Sequence, residues 1–164
     1  MRAYYFAIPI IALLGFPAWG QTPQANINAA VGYLDTLFNQ HDPAKAFAVY
    51  CTPDFHHHPQ PAYTPAAAAA LMQHNIAAMT AMVRRYPATH YDIKQVIVSG
   101  DMVMVRALFT GGPATGQIIH DEKHGGIVGP EIGQDVVNIF RIENGKVAEN
   151  WEVTQPLVKL DGVF

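Results

Sequence analysis

Asn144-Gly145 separates two stretches, Gln134 to Glu143 and Lys146 to Gln155, that carry β-branched and aromatic residues in alternation. Asn-Gly suits the two positive-φ positions of a tight hairpin turn, so this pair predicts a β-hairpin. Upstream, His90 to Val98 and Met102 to Thr110 flank Ser99-Gly100-Asp101 and predict a second hairpin. The first half of the chain has a different period. Ala29, Ala30, Tyr33, Leu34, Leu37 and Phe38 recur at three- and four-residue intervals, the stripe of an amphipathic helix. Asn39-Gln40-His41 interrupts it, and Asp42-Pro43 opens a short second helix with Asp as N-cap and Pro at the first helical position. Thr64-Pro65 opens a third in the same way, running to Tyr86 before Pro87, with Arg84-Arg85 placed to suit the helix dipole. Helix, helix, strand, long helix and then antiparallel strands is an α+β order. A curved sheet wrapped around helices makes a cone, and a cone has a pocket.

The strand between the second and third helices reads Asp54-Phe55-His56-His57-His58-Pro59, entered through Thr52-Pro53-Asp54. The histidines are internal and so are no expression tag. Alternate side chains of a strand share a face, which predicts His56 and His58 on one side and His57 on the other. The pair is expected at a strand end inside the cavity, with His57 a bystander. Gly111 to Gly133 is too Gly-rich for a core element; within it Gln117 to His120 and Ile127-Val128 are expected to form a small flap. His74 belongs to a polar helix face.

Half of the 164 residues are hydrophobic, enough for one domain with one core. A formal charge of −3 with 14% charged residues makes no electrostatic case for nucleic acid. Arg2, the apolar run Ala3 to Leu14, then Gly15, Pro17 and Ala18-Trp19-Gly20 read as a secretory signal over 1–20, cleaved after Gly20, with an uncleaved anchor as the alternative. The remaining domain, 21–164, is then periplasmic or secreted and off the membrane after cleavage. Cys51 is the sole cysteine, so no internal disulfide is available, and its place at the end of an apolar helical run predicts a buried thiol.

Phe140-Arg141-Ile142-Glu143-Asn144-Gly145-Lys146-Val147, followed by Glu149-Asn150-Trp151-Glu152, resembles the nuclear transport factor 2-like superfamily. Within it the phrase is similar to that of the SnoaL-like group, named for polyketide cyclases, whose earlier aromatic-x-x-H segment is matched by Phe55 to His58. The resemblance spans about Asn26 to Leu157. It implies a cone-shaped α+β barrel, cystatin-like, with a curved mixed or antiparallel sheet wrapped around three N-terminal helices, and a homodimer. This fold hosts cyclases, isomerases, dehydratases, epoxide hydrolases and non-enzymes alike. The ketosteroid isomerases of the superfamily place their general base where this chain has His58-Pro59 and a buried acid where it has Asn138. Their oxyanion-hole tyrosine falls at Leu34, and Tyr33 is expected to point elsewhere by about 100°. Steroid isomerisation is therefore not implied.

The resemblance turns Ala148, Asn150, Glu152 and Thr154 inward, and an inward Asn138 brings Val136 and Phe140 with it. Val137, Ile139, Trp151 and Val153 then form an apolar second face, to be covered by the flap or another subunit. The expected catalytic set is His58 as base or acid, Glu152 as its charged partner, and Asn138 as donor to a substrate oxygen. His56, Phe55, Tyr63, Phe140, Asn150 and Arg106 are expected around the pocket, Arg106 alternatively pairing with Asp135. Such a set suits proton transfer next to a carbonyl, as in an isomerase, an aldol-type cyclase or a dehydrating lyase. Its ligand is a small apolar or carbonyl-containing molecule, and no cofactor is expected. Two other readings stand beside it: a non-catalytic ligand-binding or dimerisation domain, and a metal site of His56, His58 and Glu152 with His120 and His124 in reserve.

Overall fold

The computed structural model describes residues 22–58, 64–111, 119–121, 126–128 and 134–156. The segment expected to be a signal, with Tyr63 and His124, lies outside them. No helix among the described residues is long and apolar enough to cross a membrane.

Helix α1 (Pro23–Leu34) starts where the Thr22 side chain accepts a hydrogen bond from the Ala25 N–H. It continues as a π-helical turn, Asp35–Asn39, in which the Gln40 N–H bonds back to the Asp35 carbonyl at 2.9 Å. The apolar stripe thus bends within its last turn, and the reason lies elsewhere in the fold. Asn39 donates to the Tyr91 carbonyl at 3.1 Å and accepts from the Tyr91 N–H at 2.8 Å, so its side chain pairs with the exposed backbone edge of a strand. Holding Asn39 there widens the turn and leaves Leu37 and Phe38 buried. Helix α2 (Pro43–Tyr50) is capped by Asp42, whose carboxylate accepts from the Lys45 N–H at 3.0 Å. Asp42→Ala is expected to cost about 1 kcal/mol in a urea unfolding series, the usual value of such a cap. Helix α3 (Pro65–Arg85) ends at Arg85, one residue short of the expected limit, and carries His74 on its exposed side.

Strand β1 (Cys51–His57) begins directly at the end of α2, so Thr52-Pro53-Asp54 is strand and not a connecting turn. Strands β2 (His90–Ser99), β3 (Met102–Thr110), β6 (Gln134–Glu143) and β7 (Lys146–Pro156) take nearly the expected bounds. Two short strands, β4 (Ile119–Asp121) and β5 (Gly126–Val128), pair with each other as the small flap. The main sheet runs β1-β7-β6-β3-β2, with β1 parallel to β7 and the other pairs antiparallel. It is mixed, curled and not closed, with β1 and β2 as its edges.

The core lies between α1, the π-helical turn and α2 on one side and the concave face of the sheet on the other. Alternation decides the facing. Val136, Asn138, Phe140 and Ile142 of β6 are buried, while Val137, Ile139 and Arg141 between them are partly exposed. Tyr33 sits in the middle, edge-on to both Phe47 and Phe140 at ring separations of 5.5 and 6.0 Å. Cys51 is buried as expected, and burial pushes its thiol well above the usual range, which makes it unreactive.

Candidate functional site

A cavity of about 270 Å³ lies between the helices and the concave face. Its walls are apolar: Leu34, Leu37 and Phe38 from the end of α1 and its π turn, Phe47 from α2, Phe55 from β1, Met79 and Met82 from α3, and Phe109 from β3. Against this lining stand His57, Asn138, Asn150 and Glu152, with Asn75, Gln134 and the tyrosines Tyr33 and Tyr91. Sheet register makes the first four neighbours. Asn138 is opposite Glu152 across β6 and β7, and His57 is opposite Asn150 across β1 and β7. The described residues that line the cavity include no Lys or Arg.

Asn138 and Asn150 are 0% and 3% exposed, so their amides must find partners inside the protein or in a ligand. Asn150 Nδ2 donates to Asn138 Oδ1 at 3.2 Å and lies 3.3 Å from His57 Nδ1. That leaves Asn138 Nδ2 and Asn150 Oδ1 without a hydrogen-bond partner among the described residues. The Asn138 side chain works weakly against the rise at the neighbouring Tyr91 hydroxyl, while its Nδ2 makes no hydrogen bond of standard geometry among the described residues. A buried donor or acceptor left unpaired costs about 1–3 kcal/mol, which a ligand offering both complements recovers.

The walls set the charges. Burial raises the Glu152 carboxyl above its ordinary 4.5, although solvent still reaches the side chain where the cavity opens. Burial, then the neighbouring His58 and His56, lowers His57 from 6.5, so its imidazole is held neutral. Tyr33 and Tyr91 are pushed up, first by burial and also by Glu152, and remain hydroxyl donors throughout the ordinary pH range.

His58 and His56 are not in this cavity. In β1 the buried ring is Phe55, and His57 shares its face two residues on, whereas His56 and His58 take the other face. The aromatic at Phe55 carried that parity signal in the sequence. A two-residue repeat sets Phe55 and His57 on the cavity side and His56 and His58 on the other, so the expected pocket group of Phe55, His56 and His58 does not form. Tyr33 also differs from expectation. It faces the cavity together with Leu34, because the end of α1 projects into the cone and two successive side chains reach the same space. Arg106 lies outside, its guanidinium fork paired with Asp135 through Nε at 2.9 and 3.0 Å and through a second nitrogen. Phe140 is wholly buried under Tyr33 and supports the cavity without lining it. Phe55, Asn138, Asn150 and Glu152 line the cavity.

On the convex face His58 meets a different carboxylate. Its Nε2 is 2.9 Å from Glu149 Oε2, while Arg141 Nε holds Glu149 Oε1 at 2.5 Å and Arg141 also contacts Glu143 at 3.0 Å. Burial works against the Glu149 charge, but His58 and Arg141 outweigh it and hold the carboxyl below its usual value. The His58 ring stacks on Trp151, centroids 4.3 Å apart and planes 7° apart, and lies 4.1 Å from the His56 ring. The expected set of His56, His58 and Glu152 therefore does not assemble, since the sheet separates Glu152 from the two histidines.

The family model for the SnoaL-like polyketide cyclase matches residues 28–158, and the chain belongs to that family. A SnoaL-like polyketide cyclase from Agrobacterium tumefaciens shares the fold at TM-score 0.55 and 14% identity, over 79% of this chain and 91% of that one. An uncharacterised cystatin-fold protein from Novosphingobium aromaticivorans gives 0.55 and 20% over 78% and 97%, and TsrD from Streptomyces laurentii gives 0.56 and 19% over 82% and 92%. None of the curated proteins matches. Family and cavity together support a domain that binds or transforms a small molecule.

Proposed function

We propose that this domain binds a small neutral carbonyl compound in the cavity and moves a proton at the carbon next to the carbonyl. The observation that carries this reading is the unpaired Asn138 amide donor, fully buried, beside a carboxylate of raised basicity on the adjacent strand. The substrate oxygen accepts from Asn138 Nδ2. Glu152 removes the α-proton, the C–H electron pair moves into the enolate, and the negative charge arrives on the oxygen facing the amide. With Asn150 donating to Nδ1, the neutral His57 ring carries its proton on Nε2 and serves as a donor. Glu152, now a carboxylic acid, returns the proton to the same or another carbon. Isomerisation, aldol-type cyclisation and dehydration all begin with that enolate. The Glu152 charge and the absence of Lys or Arg among the described lining residues disfavour a carboxylate ligand.

Exchange of α-protons for deuterium in a panel of aryl and cyclic ketones, followed by NMR, tests this. Wild-type protein is expected to accelerate exchange for at least one ketone, and Asn138→Ala to slow it by roughly 100-fold, the effect of losing one oxyanion donor. Exchange that survives Asn138→Ala intact excludes the amide from the step. Ketone binding without exchange would leave a binding module.

The same reading takes the domain as exported and dimeric. The apolar run Ala3 to Leu14 ahead of Ala18-Trp19-Gly20 supports export. For the dimer, Ile97, Met104, Ile139 and Trp151 form one apolar rung across four strands of the convex face, with Ile97 at 46% and Val153 at 62% exposed.

A further inference from the structure

We propose that His56, His58 and Glu149 form a binding site for one divalent transition-metal ion, Zn²⁺ or an ion of similar preference, on the convex face where β1 meets β7. One ligand atom from each of the three lies within 4.8 Å of the other two. Two imidazoles and a carboxylate are a donor set that suits zinc, with a fourth position left for water. The strands bring them together in a simple way: His58, just past the end of β1 and tied to β7 by its N–H on the Asn150 carbonyl, follows His56 by two residues, and His56 is opposite Glu149 in the parallel register.

The donors are also oriented. Trp151 stacks on His58 and fixes its ring plane. Arg141 holds Glu149 through Oε1, leaving Oε2 turned to His58, and Glu143 in turn balances the Arg141 charge. A carboxylate that ligates a metal is commonly held by an outer hydrogen bond of this kind. An ion at about 2.0–2.1 Å from both donors in a tetrahedral site separates them by about 3.3 Å. His58 Nε2 and Glu149 Oε2 are 2.9 Å apart, so the pair opens by a few tenths of an ångström and the ion takes the place of the shared proton. All three side chains are half-buried, which leaves an entry path from solvent. A bound ion would tie the end of edge strand β1 to β7. The site lies across the sheet from the cavity and does not depend on the function proposed for it.

The full chain, purified without a histidine tag and stripped with EDTA, is to be titrated with zinc chloride by calorimetry. One ion per chain is expected, with affinity falling about tenfold or more in Glu149→Gln and binding lost in His56→Ala/His58→Ala. His90→Ala, on the exposed side of β2, is expected to bind as wild type. Cobalt(II) added to the unmutated protein gives a readout that needs no variant: intense visible bands of a four-coordinate ion support the site. No zinc binding by the wild type, undiminished binding in the double variant, or only the weak bands of six-coordinate cobalt would overturn it.

Discussion

Glu152→Gln is expected to slow α-proton exchange by about 10²–10⁴-fold, the usual worth of a positioned general base, and at the same time to make the protein more stable at neutral pH. Both effects come from one cause. Burial raises the folded-state pKa of Glu152 above 4.5, so the charged form is a better base and a worse tenant of an apolar cavity. Between 4.5 and its raised value the folded protein keeps a proton that the unfolded chain has released, and stability falls as pH climbs through that window. Gln cannot ionise and removes the fall. His57 acts in the opposite direction: below 6.5 the unfolded chain takes up a proton that the folded imidazole refuses, so stability falls as pH drops through that region. Thermal melts of wild type and variant across this range check the signs. A Gln variant less stable than wild type at pH 7 would mean that Glu152 has a compensating partner.

Phe140→Ala is expected to destabilise the domain by about 3–5 kcal/mol, the range for removing a fully buried aromatic ring. Phe140 is 0% exposed, opposite Val103 on β3 and Asn150 on β7, and edge-on to Tyr33. Its loss opens a void beneath Tyr33, a wall of the cavity, so ligand affinity is expected to fall along with stability. A urea midpoint that drops at unchanged slope reports the loss directly. A change under about 1 kcal/mol would show that the surrounding side chains collapse into the space.

Much of the fold was legible because its signals are local. Asn144-Gly145 marks the β6–β7 hairpin, but a bulge between Arg141 and Ile142 shifts the pairing by one residue beyond the turn, and the inward facing of Asn138, Asn150 and Glu152 is the one the family resemblance implied. Asp42-Pro43 and Thr64-Pro65 set the starts of α2 and α3. The failures arise where a distant contact decides. Asn39 bends the end of α1 because it must pair with Tyr91, 52 residues away. In β1 the choice among three histidines depends on one step of register, and a one-residue slip exchanges the faces of all of them. That register is fixed by β1 pairing with β7 and shifts between Cys51 and His56. No feature of the His-His-His run itself distinguishes the inner ring, and only the burial of Phe55 does. The same slip replaces Glu152 with Glu149 as the carboxylate beside His58.

The most direct measurement of the account is a structure of the protein with a ketone that exchanges, or failing exchange binds. The ketone oxygen should lie within hydrogen-bond distance of Asn138 Nδ2, with its α-carbon towards Glu152. A ketone seated instead on the convex face against His58 and Trp151, or in the cavity with its oxygen turned away from Asn138, would contradict the assignment of the site.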